Sequence, residues 1–208
     1  ADPSFSVTVS SASLTLGQNT TAYYGLLSNA TYYFKVKVST ESDAAYSAVI
    51  SSATPPVMPQ AVTLAVVNVS SFTAQWSAGN NGPGTVYWAE ASLDDSFTIN
   101  LISSGTPAAA LYESLNPNAT YFLRVKTLGF GGQDSPFTGY TSTITRAYPP
   151  GSEAYPLVSA TALSLVWDDN GNPFGTRYAL VVSTSTGFST VNYSSLTSGN
   201  YYEASGLQ

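Results

Sequence analysis

Residues 115–126 read LNPNATYFLRVK, and this stretch determines how the rest of the chain is interpreted. Its first residues form a turn, and an alternating run of apolar and polar positions follows, which is typical of a half-buried β-strand. The two faces of that strand carry different side chains: Tyr121, Leu123 and Val125 on one, and Phe122, Arg124 and Lys126 on the other. We expect the first set to face the core, with the Tyr121 hydroxyl returning to the backbone of the turn.

The same stretch recurs elsewhere in the chain. Residues 26–36 read LLSNATYYFKV, and a third copy begins at Leu207. A spacing of 91 residues also separates the members of three aromatic pairs: Trp76 and Trp167, Tyr87 and Tyr178, and Phe97 and Phe188. A spacing this regular indicates an internal repeat.

Proline-rich segments fall between the repeats, at residues 55–59 and 149–150. Proline cannot donate a hydrogen bond to a β-ladder, so both segments are interpreted as stiff linkers. We therefore predict three parts: residues 1–57 as the C-terminal part of one module, 58–148 as a complete module, and 149–208 as the N-terminal part of a third.

Short alternating runs predict an all-β fold. In the first part they cover residues 5–10, 21–26, 31–39 and 46–52. In the second part they cover residues 61–67, 71–76, 85–91, 97–102 and 108–113, the strand of the opening stretch, and 136–146. Seven strands in about ninety residues predict a sandwich, so we expect tandem immunoglobulin-like, seven-stranded β-sandwiches.

Composition argues against several classes of function. The net charge is -6, only 9% of residues are charged, and Lys and Arg together number 6, which disfavours nucleic acid and anionic membrane surfaces as partners. The chain has no Cys and no His, which removes disulfides, thiolate metal sites and the commonest general base. No apolar run is long enough to span a bilayer, so we expect no membrane insertion.

Three features together resemble tandem fibronectin type III modules, and those of bacterial extracellular arrays in particular. They are Trp76 at the end of the second strand, the loop NPFGT at residues 172–176 before Tyr178, and Leu115-x-Pro117 followed by Tyr121. The resemblance covers the entire chain, although Ser28 stands where the first part should have the proline. It implies sheets A-B-E and C'-C-F-G, with C', E, F and G in the first part and A, B, C, C' and E in the third. It also implies a structural or binding role outside the cell or at its surface.

Two pairs of adjacent acids are candidates for chemistry. Asp168 and Asp169 precede Asn-Gly-Asn, as in a calcium loop, but Gly171 comes fourth instead of sixth. Asp94 and Asp95 would have to act as paired carboxylates, and neighbours on an extended chain point apart. We interpret both pairs as turns and expect no metal, no cofactor and no catalytic residue. Without His and with only three lysines, no Ser-His-Asp or Lys-based nucleophile can be assembled, so we do not expect an enzyme.

The outward sides of strands C and F form a candidate contact face. It consists of five residues: Trp88, Glu90, Phe122, Arg124 and Lys126. One interpretation is a closed patch, with Glu90 paired to Arg124 or Lys126 and Trp88 stacked under a cation. The other is that the aromatic side chains contact a neighbouring module, a second chain or a glycan.

Five Asn-x-Ser/Thr sequons are candidate glycosylation sites: Asn19, Asn29, Asn68, Asn118 and Asn192. Ser and Thr are abundant, so several are expected by chance. Asn29 and Asn118 also have a second explanation, because both lie in the turn before strand F, where turn chemistry favours Asn.

The expected function is structural. We expect a segment of an extracellular or cell-surface repeat protein that forms filaments or adheres, with copies of itself or neighbouring modules as partners. The alternative is an accessory glycan-binding or spacer module of a secreted hydrolase. Head-to-tail completion is a further expectation, in which residues 31–52 of one copy enter the sandwich begun by residues 151–207 of the next. Duplicated C' and E strands fit this poorly, because the completed module would be about 25 residues too long.

Overall fold

The computed structural model describes residues 4, 10–15, 17–99, 102–106 and 108–207. Within them a 3-10 turn at Asp43–Ala45 is the only helical element, and no helix has the length and apolar character needed to cross a membrane. The strands, in chain order, are β1 Thr31–Phe34, β2 Ile50–Ala53, β3 Gln60–Ala65, β4 Phe72–Ser77, β5 Tyr87–Ser92, β6 Ile102–Thr106, β7 Ala109–Tyr112, β8 Thr120–Thr127, β9 Thr141–Ile144, β10 Gly151–Ala154, β11 Ala162–Asp168, β12 Tyr178–Val182, β13 Tyr193–Thr197 and β14 Tyr201–Ser205.

Residues 58–148 contribute two sheets, with the strand orders β3-β4-β7 and β6-β5-β8-β9. These are the predicted A-B-E and C'-C-F-G sheets, and β5 pairs antiparallel with both β6 and β8. The third part supplies A, B and E as β10-β11-β14, and C and C' as β12-β13. The first part supplies F and G as β1-β2. The all-β sandwich class is therefore confirmed.

The described residues group into two compact units. The first takes its residues from Ala1–Leu64, Ala74–Ala110 and Phe122–Thr141, and the second from Ala65–Thr73, Leu111–Tyr121 and Ser142–Gln208. Side chains at most 7% exposed form the core of the first unit: Ala74, Trp76, Tyr87, Ala89, Ala91, Leu123 and Val125. The corresponding side chains of the second unit are Phe72, Tyr112, Leu115, Tyr121, Trp167 and Ala204. The predicted inward positions of strand F are thus confirmed, and the positions of strands B and C that carry Trp76 and Tyr87 are buried as well.

Some predicted strands are wrong or shorter than expected. Residues 21–26 form no strand, because Gly25 adopts a positive φ of 72° that interrupts the extended run. The middle C' strand begins at Ile102 and not at Phe97, because Phe97 lies in a turn with a φ of 58°. Of the predicted strand 5–10, all but Ser10 lie outside the described residues. Strands β1, β2 and β9 are shorter than predicted.

The predicted return of the tyrosine hydroxyl is confirmed in both described copies. The Tyr121 hydroxyl accepts a hydrogen bond of 2.9 Å from the N–H of Asn116, and the Tyr32 hydroxyl accepts one of 2.8 Å from Leu27. The hydroxyl of Thr145 braces the first of these turns by donating to the Asn116 carbonyl at 2.7 Å. These bonds define the tyrosine corner and fix the turns that carry two of the sequons.

Candidate functional site

An ion pair holds the outward face of the four-stranded sheet together. Nη2 of Arg124 lies 2.7 Å from Oε2 of Glu90, and Nε donates to the same oxygen at 2.8 Å. The two residues are direct partners in the register of β5 and β8. The indole N–H of Trp88 donates to Oε1 of Glu90 at 3.0 Å. The Glu90 side chain, on a residue only 9% exposed, is therefore bonded through both oxygens.

Two phenylalanines enclose the Arg124 guanidinium. Its central carbon lies 4.1 Å from the ring centre of Phe97 and 4.2 Å from that of Phe137. Such contacts between a cation and an aromatic ring are attractive and also remove apolar surface from water. The sequence predicted that Phe97 lies on a strand, and neither Phe97 nor Phe137 was predicted to belong to this face. The recurrence of Phe97 as Phe188 in the next repeat was the available signal for the first.

The remaining members of the face also have partners within the same sheet. Lys126 forms an ion pair of 2.8 Å with Asp134, and this hydrogen bond lowers the pKa of the Asp134 carboxyl. Phe122 meets Tyr140 edge to face, with ring centres 5.3 Å apart. The pairing of Glu90 with Arg124 agrees with the closed-patch interpretation. For Trp88 that interpretation predicted stacking under a cation, and the structure shows its indole N–H donating to the Glu90 carboxylate. Contact of this face with a second chain or a glycan stays a prediction.

A second set of contacts joins the first part to the complete module, and we call it the first joint. The side chain of Asn29, which is 0% exposed, donates to the Thr85 hydroxyl at 3.1 Å and to the Leu128 carbonyl at 3.0 Å. Its Oδ1 accepts from the N–H of Phe130 at 2.8 Å. All the hydrogen-bonding groups of this amide point into the neighbouring module. Asn29 is thus a joint residue.

Asn81 completes the first joint from the other side. Its side chain donates to the carbonyl of Val57 at 2.9 Å and accepts from the N–H of Val57 at 2.9 Å. The Thr127 hydroxyl donates to the same Val57 carbonyl at 2.7 Å. The linker residue is therefore bonded to the module that follows it and does not behave as a free tether.

The same bonds recur one repeat later, between the complete module and the third part, in what we call the second joint. Asn118 donates to the Thr176 hydroxyl at 2.9 Å. Asn172 donates to the Tyr148 carbonyl and accepts from its N–H, each at 2.8 Å. Asn29 and Asn118 are 89 residues apart, and the other corresponding residues of the two joints are 91 residues apart. The joint is therefore a property of the repeat.

Ser28 adds backbone bonds that the second joint cannot make. Its N–H donates to the Asn80 carbonyl at 3.0 Å, and its carbonyl accepts from Gly82 N–H at 2.7 Å. The corresponding positions in the second joint are Pro117 and Pro173, which have no N–H. The departure of Ser28 from the expected proline thus has a structural reason.

The five sequons lie in different environments. Asn29 is buried, Asn118 is half-buried at the second joint, and Asn19, Asn68 and Asn192 are exposed. Both joint asparagines have a positive φ, 47° and 45°, in agreement with the turn explanation. Glycosylation of the sequons stays a prediction, and the burial and full bonding of the Asn29 amide argue against a glycan there.

The acidic pairs lie at hydrogen-bonded turns, and Asp168 is the last residue of β11, where its turn begins. The Asp94 carboxylate accepts from the N–H of Ile99 at 2.7 Å and of Thr98 at 2.8 Å, and also from the Ser92 hydroxyl. Asp168 accepts from the N–H of Asn170 at 2.8 Å, and Asn170 has a φ of 54°. The interpretation of both pairs as turns is confirmed.

Comparison with solved structures shows the fold. A segment of two fibronectin type III domains from chicken tenascin is similar, with a TM-score of 0.52 and 11% identity over 73% of this chain and 84% of that one. The fold is that of fibronectin type III modules. The FN5 domain of Drosophila Lar also matches, with a TM-score of 0.37 and 19% identity over 45% of this chain and 99% of that chain. No protein-family model matches the chain, and no curated protein matches it.

In fibronectin type III terms, each joint connects the E–F turn of one module to the B–C loop of the next. The E–F turn contributes the asparagine of the tyrosine corner, and the B–C loop contributes a threonine and a second asparagine. Thr85 and Thr176 are 7% and 6% exposed, so the acceptor of each bond is buried. Bonds shielded from water in this way are electrostatically stronger than exposed ones.

Proposed function

We propose that this chain is a non-catalytic structural segment of an extracellular or cell-surface repeat protein. Its fibronectin type III modules act as spacers and contact surfaces. The low content of charged residues leaves a mostly polar surface, and the net charge of -6 gives it no attraction for nucleic acid. Both features support this role. Such a surface suits contacts with other copies or modules of the same polypeptide, and not the binding of small molecules.

The recurrence of the joint is the observation that carries the proposal. A spacer must transmit orientation from module to module, and linkers without fixed contacts cannot do so. Here the linker residues Val57 and Tyr148 are each bonded twice to an asparagine of the following module. An array built this way is semi-rigid along its length.

Distance measurements between spin labels test this proposal directly. The chain has no native cysteine, so labelled cysteines can be placed at exposed positions, Thr40 and Asp95 across the first joint and Glu113 and Ser198 across the second. We expect a narrow distance distribution for each pair. A broad distribution in the unmodified chain would show freely jointed modules and would overturn the proposal.

For filament formation we propose head-to-tail completion between copies. In the complete module β5 pairs with β6 and β8, whereas β12, its counterpart, pairs among the described strands with β13 alone. Phe34 and Val36 are 36% and 68% exposed, while Leu123 and Val125 at the corresponding positions of β8 are 0% exposed. In the filament, β1 and β2 of one copy lie beside β12 of the next. Unpaired edges with apolar faces favour such additions.

Two results decide between completion and a simple array. Deletion of residues 1–57 removes β1 and β2, so we expect the shortened chain to stay monomeric in light scattering at concentrations where the full chain forms multimers. Filaments that still form without residues 1–57 would rule out completion. A full chain that is monomeric at all concentrations would also rule it out, and would leave the spacer proposal intact.

A second candidate is glycan binding through Trp88. The observation in its favour is that Trp88 is half-exposed and lies beside Gly105, whose position leaves room next to the indole ring. Trp88→Ser should then abolish retention on immobilised glycans with little change in melting temperature. A large loss of stability with unchanged retention would show that Trp88 serves only the sheet.

A further inference from the structure

Asn81 holds the first joint and is also followed by glycine. Its amide is bonded to both backbone groups of Val57 and donates to the Ala78 carbonyl at 2.9 Å. The Asn-Gly sequence is the one in which an asparagine amide is most easily lost, because glycine has no side chain to hinder attack by its backbone nitrogen. The corresponding residue of the second joint, Asn172, is followed by Pro173. Proline has no N–H with which to carry out the same attack.

The folded joint blocks this reaction. The attacking nitrogen would be that of Gly82, which is buried and donates to the Ser28 carbonyl at 2.7 Å. A Cβ on Gly82 would lie 3.2 Å from Ala30 and from the Asn29 carbonyl, so the turn is closely covered. Both the nucleophile and the amide that it must reach are therefore engaged in other hydrogen bonds while the joint is closed.

We propose that Asn81 is a modification site that records opening of the first joint. When the joint opens, the Gly82 nitrogen attacks Cγ of Asn81. The N–Cγ bond forms, the Cγ–Nδ2 bond breaks, and ammonia leaves. Water then opens the resulting five-membered imide at either carbonyl, which gives aspartate or isoaspartate. No oxidant or cofactor is required, and water is the only co-reactant.

The product cannot restore the joint. A carboxylate at residue 81 has no N–H to donate to the carbonyls of Val57 and Ala78, and its negative charge faces both oxygens. The modification is irreversible, so each opening by heat or tension adds to a population of chains with a released first joint. Asn172 of the second joint is not lost by this route, because Pro173 follows it. The corresponding asparagines Asn81 and Asn172 therefore age differently.

Peptide mapping by mass spectrometry tests the first step on the full chain at mildly alkaline pH. Asn170-Gly171 provides an Asn-Gly control outside the first joint. In urea we expect both sites to be modified at similar rates. In native buffer we expect Asn81 to be modified at least about tenfold more slowly than in urea, because only the opened joint reacts. Equal rates at Asn81 in urea and in native buffer would overturn the proposal.

Two variants test the link to the joint. Asn29→Ala removes three bonds that close the joint, so it should raise the native rate at Asn81 while leaving the rate at Asn170 unchanged. A rise at both sites would indicate general unfolding and not opening of the joint.

Asn81→Asp imitates the product and should broaden the distance distribution across the first joint only. An unchanged distribution in Asn81→Asp would refute release. This inference rests on the joint of the proposed function. Equal rates at Asn81 in urea and in native buffer, together with a narrow distance distribution in the unmodified chain, would refute the inference and leave the spacer role standing.

Discussion

Asn29 and Thr85 lie in different modules, 56 residues apart in the chain, and their side chains share a buried hydrogen bond of 3.1 Å. Water does not compete for this bond, because Asn29 is 0% and Thr85 is 7% exposed. The Thr85 hydroxyl itself donates to the Gly82 carbonyl at 2.6 Å, so the bond connects the E–F turn to a B–C loop that is already fixed. Asn118 and Thr176 have the same relationship in the second joint.

Asn29→Ala should destabilise the first joint by about 1–3 kcal/mol, because it removes the buried bond to Thr85 and leaves the Phe130 N–H and the Leu128 carbonyl without their partner. Urea unfolding followed by a fluorophore in the first part measures this change. Asn19→Ala, at an exposed sequon, is the control and should be neutral. Equal effects of the two substitutions would show that the joint contributes nothing to stability.

Glycosylation should distinguish the sequons by burial. If the folded chain is offered to an N-glycosylating enzyme, we expect modification at the exposed Asn19, Asn68 and Asn192 and none at Asn29. Glycopeptide mapping measures the occupancy of each site. Modification of Asn29 in chains that keep a narrow distance distribution across the first joint would contradict its placement.

Local pattern was sufficient to predict most strands of the complete module and their buried faces, while the grouping of the strands into sheets came from the resemblance to fibronectin type III modules. The alternation around Tyr121 and the repeated Trp-Tyr spacing predicted which side chains are buried, since side-chain direction in a strand follows from the backbone alone. The role of Asn29 was not predictable in the same way. Turn chemistry explained its presence, and its partner Thr85 lies in another module. The signal available was that an asparagine and a threonine recur together at the repeat spacing.

The contact face was predicted in part. Its five residues do share one face, because alternation fixes them there, and the Glu90–Arg124 pairing was one of the alternatives. What alternation could not predict is the cover supplied by Phe97 and Phe137. Phe97 lies in a turn, and Phe137 precedes β9, so neither position follows the period of a strand. Sequence reasoning therefore overestimated how exposed this face is.

Removing Arg124 should be more harmful than removing both members of its ion pair. Arg124→Met leaves the carboxylate of Glu90, a residue only 9% exposed, without a cation, and we expect a loss of about 1–3 kcal/mol. The double substitution with Glu90→Gln should recover part of this loss. Chemical unfolding of all four variants completes the cycle. Strictly additive effects would mean that the pair is not coupled.

Trp76 should be the more important of the two tryptophans of the complete module. Its ring meets Tyr87 edge to face at 5.8 Å and it is 7% exposed, so Trp76→Ala should cost about 3–5 kcal/mol. Its indole N–H has no hydrogen-bond partner among the described residues, so Trp76→Phe loses no bond and should cost clearly less. Thermal unfolding of Trp76→Ala, Trp76→Phe and Trp88→Ala measures the order. A larger loss for Trp88→Ala would show that strand C is assigned to the wrong face.

Stability should fall on acidification because of Asp94. Hydrogen bonds from Ser92, Ile99 and Thr98 hold the pKa of this carboxyl well below its usual value of 3.8. A group whose pKa is lower in the folded state stabilises the fold above its unfolded pKa, and this contribution is lost as the pH falls through the folded pKa. We therefore expect the melting temperature to decrease from about pH 4 downward.

Asp94→Asn should make this decrease shallower, because the amide does not bind the proton that the unfolded carboxylate takes up. The dependence should not vanish, since lysine partners also lower the pKa of Asp43 and Asp134. Asp95→Asn is the matched control, because Asp95 is the exposed neighbour in the same turn and should keep the slope of the unmodified chain. Melting temperatures recorded from about pH 6 to about pH 2 provide the comparison. Parallel curves for Asp94→Asn and the unmodified chain would mean that the Asp94 turn does not stabilise the fold through its charge.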